Sequence, residues 1–233
     1  MQSRSGSDDH RGNGQLRSRR QVPLIAALVA IGAFALLAHA ATQAGSMAVF
    51  DSHYLATRRS LATQSGQQFY AMLTLFGSPV AMTILALGGA LWLGVRRRWE
   101  LWGGWVVAFI GSALIVQITK RTIHHPRPLG AEQFLHGSSY SFPSGHVVGS
   151  IVGFGMLAYV TSRVTERGAV ANAVLYIAAA CTILAIAWSR IYLGVHFVSD
   201  VLGGAAIGSA WLIVCIVATE RICKRHADDP LRF

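Results

Sequence analysis

Of 233 residues, 53% are hydrophobic and only 13% are charged, where a soluble domain carries about 25% charged residues. The apolar residues come in long runs, which excludes an ordinary soluble enzyme and points to an all-α, polytopic membrane protein of one domain. A net charge of +10 would suit nucleic acid, but the basic residues cluster in short loops between the runs, so the expected surroundings are a lipid bilayer and not nucleic acid.

Residues 1–21 are polar, Ser/Gly-rich and basic, and are expected to form a disordered cytoplasmic tail. The membrane domain is expected over residues 22–220, with 221–233 as a second short cytoplasmic tail. The first apolar run, Val22 to about Thr42, is long enough to span a bilayer. It is read as an uncleaved first helix, although its basic flank, apolar core and Ala38-His39-Ala40 also fit a signal peptide. Residues 43–68 hold Phe50, Tyr54 and Leu55 among polar residues, which fits a short interfacial helix and a solvated loop equally well. The second run, Phe69–Val95, is interrupted at Gly77-Ser78-Pro79, which places Ser78 as an N-cap and Pro79 at the first helical position. Runs three to six are approximately Leu101–Thr119, Val147–Ser162, Ala169–Trp188 and Val201–Thr219. Cys181 and Cys215 fall inside runs and read as small core residues; with Cys223 they have neither metal-ligand spacing nor a disulfide framework.

Six crossings with the N-terminus inside put all but six of the twenty Lys and Arg residues in cytoplasmic segments. The six are Arg58, Arg59, Lys120, Arg121, Arg127 and Arg190. Lys120, Arg127 and Arg190 lie in polar segments that this topology puts on one outer face.

The first such segment is Ser189–Asp200, between two apolar runs. His196 and Asp200 are four residues apart, so a helix beginning here would carry both on one face, one turn apart. A carboxylate beside a histidine keeps one ring nitrogen protonated and leaves the other free to attack or to take a proton. Arg190 adds a planar, permanently charged fork suited to phosphate. An interfacial pair that merely ends a helix is the plainer alternative. The second segment runs from Lys120 through His124-His125-Pro126 to Arg127-Pro128. Cations at a helix C-terminus are ordinary, but two prolines favour a stiff turn that holds Arg127 in place. His124 and His125 lack a matching ligand set, so no metal site is expected. The third is Ser141-Phe-Pro143-Ser144-Gly145-His146, just before the fourth run. Ser144 can cap that helix, Gly145 permits close approach to its backbone, and free N–H groups at a helix start bind anions. His146 could donate a proton to a leaving oxygen.

Gly149 and Gly153 in the fourth run, and Gly204 and Gly208 in the sixth, have the small-residue spacing that lets membrane helices touch. They are expected to pack the two helices together, bringing His146 near His196; packing of each pair on a different neighbour is the alternative. A transporter or channel would instead carry charge inside the runs and an inverted repeat, and neither is evident.

Lys120 with Arg127-Pro128, then Pro143-Ser144-Gly145-His146, then Ser189-Arg190 with His196 and Asp200, resemble the three-part signature of the type 2 phosphatidic acid phosphatase (PAP2) superfamily. All three motifs are present in order with no departure at a motif position, and the six runs resemble the family's membrane branch. The resemblance implies a phosphatase without metal or other cofactor, acting on a lipid phosphate or pyrophosphate at the outer face. It implies His196 as nucleophile, Asp200 orienting it, His146 as general acid and base, and Lys120, Arg127, Ser144, Gly145 and Arg190 holding phosphate oxygens. Vanadate-dependent haloperoxidases share the signature, but those known are soluble. The sequence leaves the oligomeric state open.

Overall fold

A bilayer offers no water to backbone polar groups, so each apolar run has to satisfy its own hydrogen bonds as a helix. The structure, a computed structural model, describes residues 7–43, 45–129, 131, 140–165 and 167–228. Among these residues the chain forms α1 (Ser7–Thr42), α2 (Ser46–Leu61), α3 (Gln64–Leu73), a 3-10 turn (Thr74–Gly77), α4 (Pro79–Val95), α5 (Trp99–Ile123), α6 (Gly145–Val164), α7 (Ala169–Tyr192) and α8 (Val198–Ala227). Six stretches are long and apolar enough to cross a membrane: Gln21–Thr42, Gln64–Val95, and α5 to α8. They coincide with the six expected runs. Ser78 caps α4 by accepting from Ala81 N at 3.2 Å, with Pro79 opening the helix.

Two local expectations resolve or change. Residues 46–61 are helical, which decides between a helix and a loop. Helix α1 runs back from its apolar part through Pro23 to Ser7, so residues 7–21, within the tail expected to be disordered, are helical.

Helix α6 is the centre of the bundle. In its most apolar stretch 56% of residues are buried, against 6% in α1 and in α7. Apolar sequence therefore means protein contact in α6 and lipid contact in α7. That difference overturns the reading of Cys181 as a core residue: it lies exposed on α7, whereas Cys215 on α8 is buried. Val152, Met156, Tyr159 and Val160 of α6 form the main core with Leu93, Leu101, Trp105, Ala108 and Cys215.

Lipid is as apolar as a side chain, so helix contacts here depend on close packing and on interhelical hydrogen bonds. Trp105 Nε1 donates to Ala86 O at 2.8 Å and Trp211 Nε1 to Ala108 O at 2.9 Å. Each indole also lies where a Cβ would stand at Gly89 or Gly111, 2.1 Å away in both cases. Gly204 and Gly208 likewise admit α6: a Cβ on Gly204 would be 3.0 Å from Ser144 O, and one on Gly208 3.3 Å from Val148 Cα. Gly149 and Gly153, however, face Met82 of α4, not α8. The expected α6–α8 contact exists, but of the two expected glycine pairs only the α8 pair makes it. A central helix has neighbours on every side: Gly149 and Gly153 serve α4, while Gly155 of the same helix meets Leu212 of α8.

At one end of the bundle, α5, α6 and α8 are joined by the Arg163–Glu220 ion pair at 3.2 Å and by a hydrogen bond between His226 Nδ1 and Glu100 Oε1 at 3.1 Å. At the other end the C-termini of α5 and α7 meet the N-termini of α6 and α8, with α2 and the 3-10 turn packed around them. All three polar segments are there.

Candidate active site

The site is assembled from the end of each helix. Helix α5 closes with Lys120 in its last turn and His124 in the left-handed conformation (φ 53°) just beyond. Lys120 is buried and its Nζ donates to Tyr140 O at 2.6 Å. The Pro126-Arg127-Pro128 turn then carries Arg127 inward, where Nη1 donates to Val195 O at 3.1 Å. Ser141 N donates to His125 O at 2.8 Å, tying the second segment to the first.

Ser144 occupies the N-cap position of α6, but its hydroxyl makes no capping bond. Its N–H donates to Asp200 O at 3.0 Å, while Oγ is buried without a hydrogen-bond partner among the described residues. Arg190, 3% exposed near the end of α7, donates from Nη1 to Thr74 Oγ1 at 2.8 Å. Its Nε is likewise buried without a partner among the described residues. Buried polar groups are nearly always satisfied, so two such donors beside one cavity call for an acceptor.

The segment after α7 reverses at Gly194, whose φ of 68° suits glycine. His196 lies in this connection, and α8 begins only at Val198 with Phe197 as N-cap. The two side chains therefore do not share a helical face, as their spacing suggested. Asp200 instead folds back from the first turn of α8: Oδ2 accepts from Phe197 N at 2.9 Å and from His196 Nδ1 at 3.2 Å. That arrangement assigns the proton to Nδ1 and leaves the Nε2 lone pair for chemistry. Burial pushes the His196 imidazolium down to about 4, against the opposing Asp200 hydrogen bond and charge. The ring is neutral at pH 7.

Oδ1 of Asp200 faces His125 Nδ1 at 3.1 Å and Ser141 Oγ at 3.2 Å. Ser141 has one hydroxyl proton, and Pro126 O at 2.8 Å is its nearest acceptor. Its oxygen is then free to accept from His125 Nδ1 at 2.9 Å, which shares its proton with Asp200. The Asp200 carboxylate is thus held between two imidazoles and is fully buried. Sequence reasoning set His125 aside with His124 and passed over Ser141 and Thr74. A histidine two residues before Arg127 was the available signal, but its partner is 75 residues away.

Lys120, Arg127, Gly145, His146, Arg190 and His196 line one cavity of about 970 Å³. Ser144 and Asp200 stand behind that lining, both with no exposed surface. Away from the charges the cavity continues between α4 and α5. Val80, Thr83 and Leu87 recur on one face of α4, and Phe109, Ala113 and Val116 form a stripe on α5 that ends at Lys120. An apolar cleft therefore leads to a cationic pocket bearing two histidines.

Such a polar pocket, built at one end of a helical bundle with lipid-facing flanks, defines a polytopic membrane protein with a cationic, imidazole-bearing centre. The PAP2 superfamily profile matches residues 101–222, more than half of the chain, and the chain belongs to that superfamily. Phosphatidylglycerophosphatase B of Bacillus subtilis (strain 168) is 32% identical over 132 residues, covering 56% of this chain and 64% of that protein; the match thus spans a little under two thirds of that relative. YbjG of Escherichia coli (strain K12), whose name places it provisionally among undecaprenyl-diphosphatases, is 28% identical over 163 residues, covering 67% of this chain and 76% of that protein. The crystal structure of a transmembrane PAP2-type phosphatidylglycerolphosphate phosphatase from Bacillus subtilis superposes with a TM-score of 0.68 at 22% identity, over 88% of this chain and 98% of that one. The likeness is one of fold.

Proposed function

We propose that the protein is an integral-membrane lipid phosphatase that hydrolyses a phosphomonoester or pyrophosphate of a lipid through a phosphohistidine. The observation that carries this reading is the joining of a cationic pocket to an apolar cleft in one cavity. A phosphate at headgroup depth would sit among Lys120, Arg127 and Arg190, and a hydrocarbon chain would run between α4 and α5.

In the first step His196 Nε2 attacks phosphorus, the P–O bond to the lipid breaks, and His146 protonates the departing oxygen. Asp200 stabilises the positive charge that grows on the His196 ring. In the second step His146 takes a proton from water, the resulting hydroxide displaces the histidine, and inorganic phosphate leaves. The transition state spreads negative charge over three equatorial oxygens. Three cations, the Ser144 hydroxyl and the free N–H groups at the start of α6 would stabilise that charge without a metal ion, in a site where such donors need no reorganisation.

The basic loops favour a site on the periplasmic or extracellular face, with both termini cytoplasmic. The relatives' names support phosphatidylglycerophosphate and undecaprenyl pyrophosphate as substrates; phosphatidic acid and diacylglycerol pyrophosphate present the same groups.

Phosphate release by the purified protein, across a panel of these lipids, tests the reading. His196→Ala is expected to abolish turnover and leave a folded protein; substantial activity in that variant would reject the nucleophile. Vanadate is expected to inhibit and chelators to have little effect. Loss of activity on chelation, restored by a divalent ion, would reject the metal-free mechanism.

A further inference from the structure

Helix α2 takes no part in this chemistry, yet it is joined to the site at two points. Asp51 and Arg58 are seven residues apart, two helical turns, and so share a face. Asp51 is 5% exposed, and its carboxylate accepts from Ser199 N at 3.2 Å and from Ser199 Oγ. Ser199 is in the first turn of α8, where backbone N–H groups lack helical acceptors. Arg58 Nε donates to Tyr192 O, at the last residue of α7. Its guanidinium also covers Gly194: a Cβ there would lie 2.9 Å from Nη1. Val49 and Phe50 remain exposed, as lipid-facing residues of an interfacial helix would.

Tyr192 and Ser199 bracket the segment that carries His196. One helical face therefore grips both ends of a turn that is also held from the inside by Asp200 and by Arg127, which donates to Val195 O. Neither Asp51 nor Arg58 lines the substrate cavity. We propose that α2 is a positioning clamp: Asp51 and Arg58 together fix the 193–198 segment so that His196 Nε2 is aimed at phosphorus. This inference rests on His196 being the nucleophile.

The test uses the full-length protein in lipid–detergent micelles, with steady-state kinetics and thermal unfolding on each variant. Asp51→Ala and Arg58→Ala are each expected to lower kcat by about ten- to a hundred-fold, with KM within about two-fold, because a misaimed nucleophile leaves the phosphate-binding cations in place. The double variant should lose less than the product of the two, since either change releases the same segment. Asp51→Glu should recover part of the rate, and His53→Ala, on the exposed face of α2, should be unaffected. Wild-type kcat in both single variants would overturn the clamp. So would a kcat loss that follows thermal stability and is not recovered by Asp51→Glu, which would make α2 a mere anchor. An active His196→Ala protein would instead overturn the nucleophile assignment, so the two failures are separable.

Discussion

Replacing Asp200 with Asn removes one charge and almost no volume. The carboxylate lies 3.2 Å from His196 Nδ1, and in the proposed mechanism the ring becomes cationic as it bonds to phosphorus. At an effective dielectric constant of about 20, a charge pair at that distance is worth about 5 kcal/mol, or nearly four powers of ten in rate. The amide offers a second disadvantage. Its oxygen can still accept from His196 and Phe197, but its NH2 then meets His125 Nδ1–H, donor against donor, unless His125 changes tautomer. The expected fall in kcat is therefore between about a hundred- and ten-thousand-fold, the upper value matching the loss when the carboxylate of a serine–histidine–carboxylate triad is amidated. The assay is phosphate release from a lipid phosphate in micelles, with single-turnover trapping of the phosphorylated enzyme to show that its formation is the slowed step. An Asn variant within ten-fold of the parent, folded and equally monodisperse, would refute the claim that this carboxylate charges and orients His196.

Arg190→Lys keeps the charge but removes the Nε donor and the fork that reaches Thr74; kcat/KM is expected to fall at least about a hundred-fold, the scale of one lost oxyanion donor, and near-parental kinetics would show that charge alone suffices. Because burial lowers His196 to about 4, the acid limb that this residue imposes on kcat/KM is expected near pH 4, not near its ordinary value of 6.5; a pH–rate series locates it. The same shift acts on stability. Below about pH 6.5 the unfolded chain binds a proton that the folded His196 refuses until about pH 4, so stability should decline as pH falls through that window. Thermal unfolding of His196→Ala should show a shallower decline. Gly204→Ala would put a methyl group 3.0 Å from Ser144 O and 3.2 Å from Val147 Cβ; overpacking of this kind costs about 1–3 kcal/mol, and here should lower activity with stability because the displaced carbonyl belongs to the turn proposed to bind phosphate.

Much of the molecule is written locally. Apolar runs of membrane length set six helices, Ser78 and Pro79 set where one of them starts, and cations, histidines and a carboxylate confined to the ends of runs marked the candidate site residues. These signals depend on neighbours within a turn or two, which sequence spacing records. What surrounds an apolar run is not local: lipid and protein favour the same side chains, so only the packed bundle distinguishes buried α6 from lipid-facing α7, and Cys215 from Cys181. Nor does spacing say that His196 precedes its helix, because the turn at Gly194 and the Asp200 contact to Phe197 decide that jointly. The partners that hold the chemistry in place are further apart still. Thr74 lies 116 residues from Arg190, and Asp51 148 from Ser199. Those pairings exist because four helix ends converge on one small volume, where a buried donor has to find an acceptor regardless of its distance along the chain.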